Sequence, residues 1–131
     1  SRRIGQIFIE NAINDHEIKI GGDGEDKLDF TYIKDLCEGV QLSIEKKEAI
    51  NETFNLTYGG SKTINNLKNI LLEHFPDAKI SYEKRDKLMP KRGTLSIEKA
   101  KKLLGYNPSS SIEEAYPTYI KWYKDFLKDS V

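Results

Sequence analysis

The chain has 131 residues, room for one domain with a modest core. Lysine plus arginine equals aspartate plus glutamate at 21 each, so a formal net charge of zero gives no global attraction to nucleic acid or to an anionic membrane surface. Hydrophobic residues are 37% of the chain, no apolar run approaches a membrane-spanning length, and the single cysteine excludes an internal disulfide and a multi-cysteine metal site, so the cytoplasm is the expected compartment.

In chain order, residues 2–14 carry Ile4, Ile7, Phe8 and Ala12 on one face, an amphipathic helix that Asn14-Asp15 ends. The chain thus runs from Ser1 at once into a helical pattern. That suggests a piece of a longer polypeptide, with a trimmed start as the equal alternative. Residues 17–20 alternate, with Ile18 and Ile20 on one side, and read as a half-buried strand. Gly21-Gly22-Asp23-Gly24 is a turn, since glycine and aspartate tolerate positive φ or bond their own backbone. Phe30-Thr31-Tyr32-Ile33, aromatic and β-branched, reads as a strand. Asp35 reads as the N-cap of a helix to about residue 46, with Leu36, Cys37, Val40 and Ile44 on one face and Cys37 in the core.

Residues 53–58 read as a strand with Phe54 and Leu56 on one face, closed by Gly59-Gly60. Thr63 caps a helix bearing Ile64, Leu67, Leu71 and Phe75, stopped at Pro76. Residues 79–84 alternate again through Ile80 and Tyr82. A basic loop follows, containing Lys84, Arg85, Lys87, Lys91 and Arg92, with Glu83 and Asp86 as its balancing charges. Ser96 caps a short helix with Ile97, Ala100, Leu103 and Leu104, and Gly105 stands at its C-terminal end. Ser111-Ile112-Glu113-Glu114 is a capping box. The last helix places Ile112, Ala115, Tyr119, Trp122 and Phe126 on one stripe, and Pro117 within it predicts a kink or a late start. Strands and helices alternate, so the fold class is α/β, an α+β-like fragment of about four short strands and about five helices. Four short strands are thin for a free-standing doubly wound sheet.

Chemistry is sparse in this pattern. Gly21-Gly22-Asp23-Gly24 leads into a strand and carries acids that repel phosphate. Gly59-Gly60-Ser61 has the strand-to-helix context of a phosphate loop but lacks a third glycine at helix spacing, so a turn with an N-cap explains it. His16 and His74 read as surface residues. The basic loop and the arginines Arg2 and Arg3 could hold a diphosphate, for which guanidinium forks are suited, although from composition alone a solvated loop is the favoured explanation of the charges.

The segment Gly22-Asp23-Gly24 through Asp29-Phe30-Thr31-Tyr32-Ile33-Lys34-Asp35 resembles the GDG-x-x-x-RDF-x-Y-V-x-D run of extended short-chain dehydrogenase/reductases, the NAD-dependent nucleotide-sugar epimerases and dehydratases. Residues 2–24, 53–67 and 92–126 resemble three further segments of that family, in the same order. The resemblance implies one C-terminal, substrate-binding domain over residues 1–131, with the NAD-binding domain and the Tyr-x-x-x-Lys pair outside the chain. Tyr116, Tyr119 and Tyr123 are followed four positions on by Ile120, Tyr123 and Leu127, and no catalytic centre is visible.

Carried over by position, Arg3 matches a basic residue at the nucleotide phosphates, Ile20 a strand residue lining the base, and Arg92 an arginine of the diphosphate. Lys27 stands beside Leu28, which replaces the family's RDF arginine. Gly21 replaces the usual aromatic, and the stretch after Arg92 is short. These departures point away from a close UDP-galactose epimerase and toward a variant epimerase or dehydratase for surface-polysaccharide sugars. The implied partners are a UDP- or dTDP-sugar, the NAD-bearing remainder of the enzyme and a second copy of the chain, with NAD as cofactor of the whole enzyme and none bound by this chain alone. Neither nucleic acid nor membrane is implied. The competing expectation is a non-catalytic nucleotide-sugar-binding or protein-interaction module.

Overall fold

The structure, a computed structural model, describes residues 3–128. Arg2, expected at the start of the first helix, lies outside them. In order the elements are α1 (Ile4–Ile13), β1 (Ile18–Gly21), β2 (Lys27–Leu28), α2 (Ile33–Glu45), a 3-10 turn (Lys47–Ala49), β3 (Lys62–Thr63), α3 (Ile64–His74), β4 (Ile80–Glu83), α4 (Glu98–Leu104) and α5 (Ile112–Lys128). The strands pair as β1 with β4 and β2 with β3. The chain divides into two compact units. The first draws on the described parts of Ser1–Asp26, Thr63–Arg92 and Glu113–Val131, the second on Lys27–Lys62 and Gly93–Ile112.

In the first unit β1 and β4 run parallel, Ile18 opposite Ile80 and Ile20 opposite Tyr82. Parallel neighbours require a long crossover, and α3 lies within it. Ile18 and Ile20 face inward, and Phe8, Ile9, Leu67, Leu71, Tyr116 and Ile120 complete the core. Each such side chain contributes about 1.5–3 kcal/mol by leaving water. α1 packs on β1 and α3. Its buried face is Phe8 and Ile9, with Ile7 exposed, so the stripe is rotated from the expected Ile4–Ile7 edge. Asp15 ends the helix at φ 54°. Thr63 caps α3 as expected: its Oγ1 accepts from the Asn66 amide (3.1 Å) and its own amide donates to Asn66 Oδ1 (2.9 Å).

α5 starts at Ile112, five residues before Pro117, so the proline does not delay it. Its buried residues are Ile112, Tyr116 and Ile120, spaced at four. The expected stripe is corrected here. Trp122 and Phe126 are more than half exposed, and with Tyr119 they form a ladder of stacked rings, Trp122 on Phe126 at 5.4 Å. Aromatic rings gain from one another along a helix surface without entering the core.

The second unit is built on Ile97, Ala100, Leu104 and Tyr106, with Leu42, Ala49, Phe54 and Leu56 packed against them. Gly105 closes α4 at φ 71°, as expected. The N-cap of that helix is Ile97, one residue beyond the expected Ser96. Four further expectations are corrected. Residues 30–32 are not a strand: α2 begins at Ile33, and Tyr32 is its N-cap with extended backbone. Residues 53–58 are in no ladder either. Both stretches have β-favouring side chains but no neighbouring strand, and propensity without a partner makes no sheet. Asp35 is the third residue of α2, not its cap, and is 4% exposed. α2 buries Asp35 and Gly39, so Cys37 is exposed with Val40 and Ile44, and not core. Gly39 faces inward because a Cβ there would come within 2.9 Å of Leu56 and 3.0 Å of the Tyr106 ring.

Candidate functional site

In the first unit the glycine turn is clamped by two neighbours. Gly22 (φ 78°) and Gly24 (φ 79°) lie where glycine is favoured. Asn65, in the first turn of α3, donates Nδ2 to the Asp23 carbonyl (3.0 Å) and to Glu25 Oε1 (2.6 Å), and its amide donates to the Gly24 carbonyl (3.0 Å). Tyr82 Oη donates to Asn65 Oδ1 (2.8 Å) and accepts from Lys68 Nζ (3.1 Å). Arg85, first expected to be balanced by Glu83 and Asp86, instead pairs its Nε with Asp26 Oδ2 at 2.7 Å, both side chains about one-third exposed or less (27% and 32%). The Gly22 amide is taken by the Glu83 carbonyl (2.7 Å).

In the second unit, two aspartates of the Asp29-to-Asp35 segment are knots. Asp29 accepts from the Gly59 amide (3.2 Å) on one oxygen and the Leu95 amide (3.3 Å) on the other. Asp35 accepts from the amides of Ser109 (3.3 Å) and Ser110 (3.0 Å). Tyr106 donates to the Thr57 carbonyl (3.1 Å). Sequence reading had no signal for these partners, which lie 30 to 75 positions away. The Gly59-Gly60-Ser61 turn is structural: besides Gly59 to Asp29, the Ser61 amide donates to Thr94 Oγ1 (2.8 Å). Tyr58 and Lys62 do have Tyr-x-x-x-Lys spacing, missed above. They flank this turn, with Gly59 at φ 78°, and not a helix on which positions four apart share a face.

Of the expected site residues, Arg3, Ile20 and Arg92 fall in the first unit and Lys27 in the second. Arg3 is exposed and is the N-cap of α1, whose first turn holds no acidic residue. Ile20 is 2% exposed, so its side chain supports β1 from the core. Arg92 is exposed in the loop after β4, as are Lys84, Lys87 and Lys91. Lys27 is exposed and Leu28 half-buried on β2. His16 and His74 are exposed, as expected. Among the described residues no group of three or more His, Cys, Asp or Glu side chains could hold a metal ion, and no helix is long and apolar enough to cross a membrane. Tyr116 is held well above the ordinary tyrosine pKa, by burial first and then by Tyr119, so its hydroxyl stays a proton donor.

The parallel β1–β4 pair with its helices in the first unit, and the helical second unit tied by Asp35, each match part of solved Rossmann-type epimerases. An epimerase from Methanothermobacter thermautotrophicus superposes with a TM-score of 0.90 at 28% identity, over 97% of this chain and 38% of that one. The UDP-glucose 4-epimerase of Thermotoga maritima, crystallised with UDP-glucose, gives 0.85 at 31% identity, over 95% and 40%. The UDP-glucuronic acid 4-epimerase of Bacillus cereus, with UDP-glucuronic acid and NAD, gives 0.85 at 26% identity, over 95% and 40%.

By sequence, residues 1–57 match the NAD dependent epimerase/dehydratase family. An uncharacterized UDP-glucose epimerase of Bacillus subtilis is 32% identical over 88% of this chain and 37% of its own length. A UDP-glucuronate 4-epimerase of Thermodesulfobacterium geofontis is 38% identical over 92% and 38%. By sequence and fold the chain is similar to part of NAD-dependent epimerase/dehydratase family proteins, spanning 37 to 38% of the length of those two relatives.

Proposed function

We propose that this chain is the C-terminal, substrate-side portion of an NAD-dependent nucleotide-sugar epimerase or dehydratase, and that it holds the diphosphate of a UDP- or dTDP-sugar. The observation that carries this reading is the match of 95% of the chain to enzymes crystallised with UDP-glucose or UDP-glucuronic acid. The local chemistry supports it. Arg3 stands at the positive end of α1 with no acid in the first turn, so charge and helix dipole both favour an anion there. Arg92 is the second guanidinium for the diphosphate. Ile20 backs the strand beside the base. Lys27 is a further cation for the substrate, tested on its own.

In the whole enzyme NAD would take hydride from the sugar, with the proton drawn by a tyrosine from outside this chain. The glycine turns here do not fit the cofactor's pyrophosphate, because the amides of Gly22, Gly59 and Ser61 are already taken within the protein. This chain's share is binding and orientation. The stripe of exposed Cys37, Val40 and Ile44 on α2, with half-buried Leu36, is then the surface that the rest of the enzyme covers.

Calorimetry of UDP and dTDP on the chain tests this. One of the two binds, Arg92→Ala weakens it about tenfold or more, and Lys27→Ala weakens it less. Binding of neither nucleotide overturns the reading. Turnover of a UDP-sugar by the chain alone overturns the assignment of the catalytic groups to the remainder.

A further inference from the structure

Two tyrosine hydroxyls of α5 reach back to α1. Tyr116, 6% exposed, donates Oη to the Gly5 carbonyl at 2.9 Å. Tyr123 donates to Glu10 Oε1, which also accepts from Gln6 Nε2 (2.9 Å). The Tyr116 ring can approach because Gly5 has no side chain: a Cβ there would lie 3.3 Å from the ring.

Arg3 is tied into the same turn, its carbonyl accepting from the Ile7 amide at 3.0 Å. No side chain caps α1 at its N-terminal end. First turns fray when only backbone bonds hold them, so an outside hydrogen bond at Gly5 has a large effect on where the residues before it point. We propose that Tyr116 is a positioning residue: through the Gly5 carbonyl it holds the first turn of α1 and so aims Arg3 at the nucleotide phosphates. This rests on reading Arg3 as a phosphate ligand. It also explains why a tyrosine, and not an aliphatic core residue, fills this place on α5: the phenol both packs and donates.

The test is a double-mutant cycle on UDP affinity, measured by calorimetry on the whole chain for wild type, Arg3→Ala, Tyr116→Phe and the double variant, with the thermal midpoint of each recorded. Arg3→Ala weakens UDP about tenfold, Tyr116→Phe about three- to fivefold, and the double variant no more than Arg3→Ala alone, because no guanidinium is left to aim. Additive losses mean that Tyr116 acts on the fold in general and overturn the inference, as does a Tyr116→Phe protein with wild-type affinity. UDP binding that is absent in wild type, or unchanged in Arg3→Ala, overturns the phosphate role of Arg3 and the inference with it. If Tyr116→Phe does not fold, Gly5→Ala disturbs the same contact from the other side. It is expected to be non-additive with Arg3→Ala, and additivity there overturns the proposal equally.

Discussion

Asp35→Ala is the substitution that most directly tests how the second unit is held. The carboxylate is 4% exposed and accepts from the Ser109 and Ser110 amides at 3.3 and 3.0 Å, with the Ser110 hydroxyl more distant at 3.4 Å. Removing it strands two backbone donors, each worth about 1–3 kcal/mol when left without a partner. The two serines are partly open to water, which places each loss near the lower end, so about 2–3 kcal/mol in total. At roughly 3–4 °C per kcal/mol for a chain of this size, the thermal midpoint falls by about 6–12 °C. Urea unfolding followed by circular dichroism reads the same loss as a lower midpoint with an unchanged slope. Ser110→Ala removes only the long hydroxyl contact and costs under about 0.5 kcal/mol. An Asp35→Ala midpoint equal to that of Ser110→Ala would refute the claim that this carboxylate ties residues 109 and 110 to α2.

Burial, then Asp35, Asp29 and Glu38, push the Tyr106 pKa from 10.0 to about 12. The unfolded chain therefore gives up this proton first. The stabilisation is complete below pH 10 and is lost as pH rises toward 12, about 2–3 kcal/mol over that window at 1.36 kcal/mol per unit. Urea midpoints at pH 9 and 11.5 measure it, and a Tyr106→Phe chain with the same decline would remove Tyr106 as the cause. On α2, Val40 is 47% and Ile44 80% exposed, so the isolated chain associates with itself as concentration rises. Ile44→Glu suppresses that association in sedimentation experiments. A wild-type chain that stays strictly monomeric at high concentration would count against an uncovered apolar face.

The legible parts of the fold were those decided by neighbours in sequence. The alternation of Ile18 and Ile20 gave β1, Thr63 gave the start of α3, and Gly105 gave the end of α4. What failed depended on distant partners. Residues 30–33 and 53–58 have strand-forming side chains, but pairing is a property of two segments and neither has a second. The α2 and α5 helices were found, yet their buried faces were misjudged, since apolar periodicity shows that a stripe exists and not which side the protein covers. On α5 the large rings Trp122 and Phe126 drew the stripe away from Tyr116 and Ile120. Asp35 looked like a cap because acids favour helix starts. Its burial became evident only once Ser109 and Ser110 were beside it. The candidate site rests on resemblance: by themselves Arg3 and Arg92 are exposed arginines, on α1 and after β4, like any others.

The chain threads out of its first unit and back twice, and α1 is completed by a helix 111 positions away at the Tyr116–Gly5 bond. During synthesis, therefore, α1 leaves the ribosome long before its partner exists. At about 5–20 residues per second it waits on the order of ten seconds for that helix, with the Gly5 carbonyl lacking its tyrosine donor. Neither unit can be finished before the other has been largely made, so the two mature together instead of one after the other. Contacts of such long separation also make refolding slow, because the loop must close before the contact rewards it. An order of events that looks like a matter of topology is thus also a window of exposure, set by where in the message α5 is written.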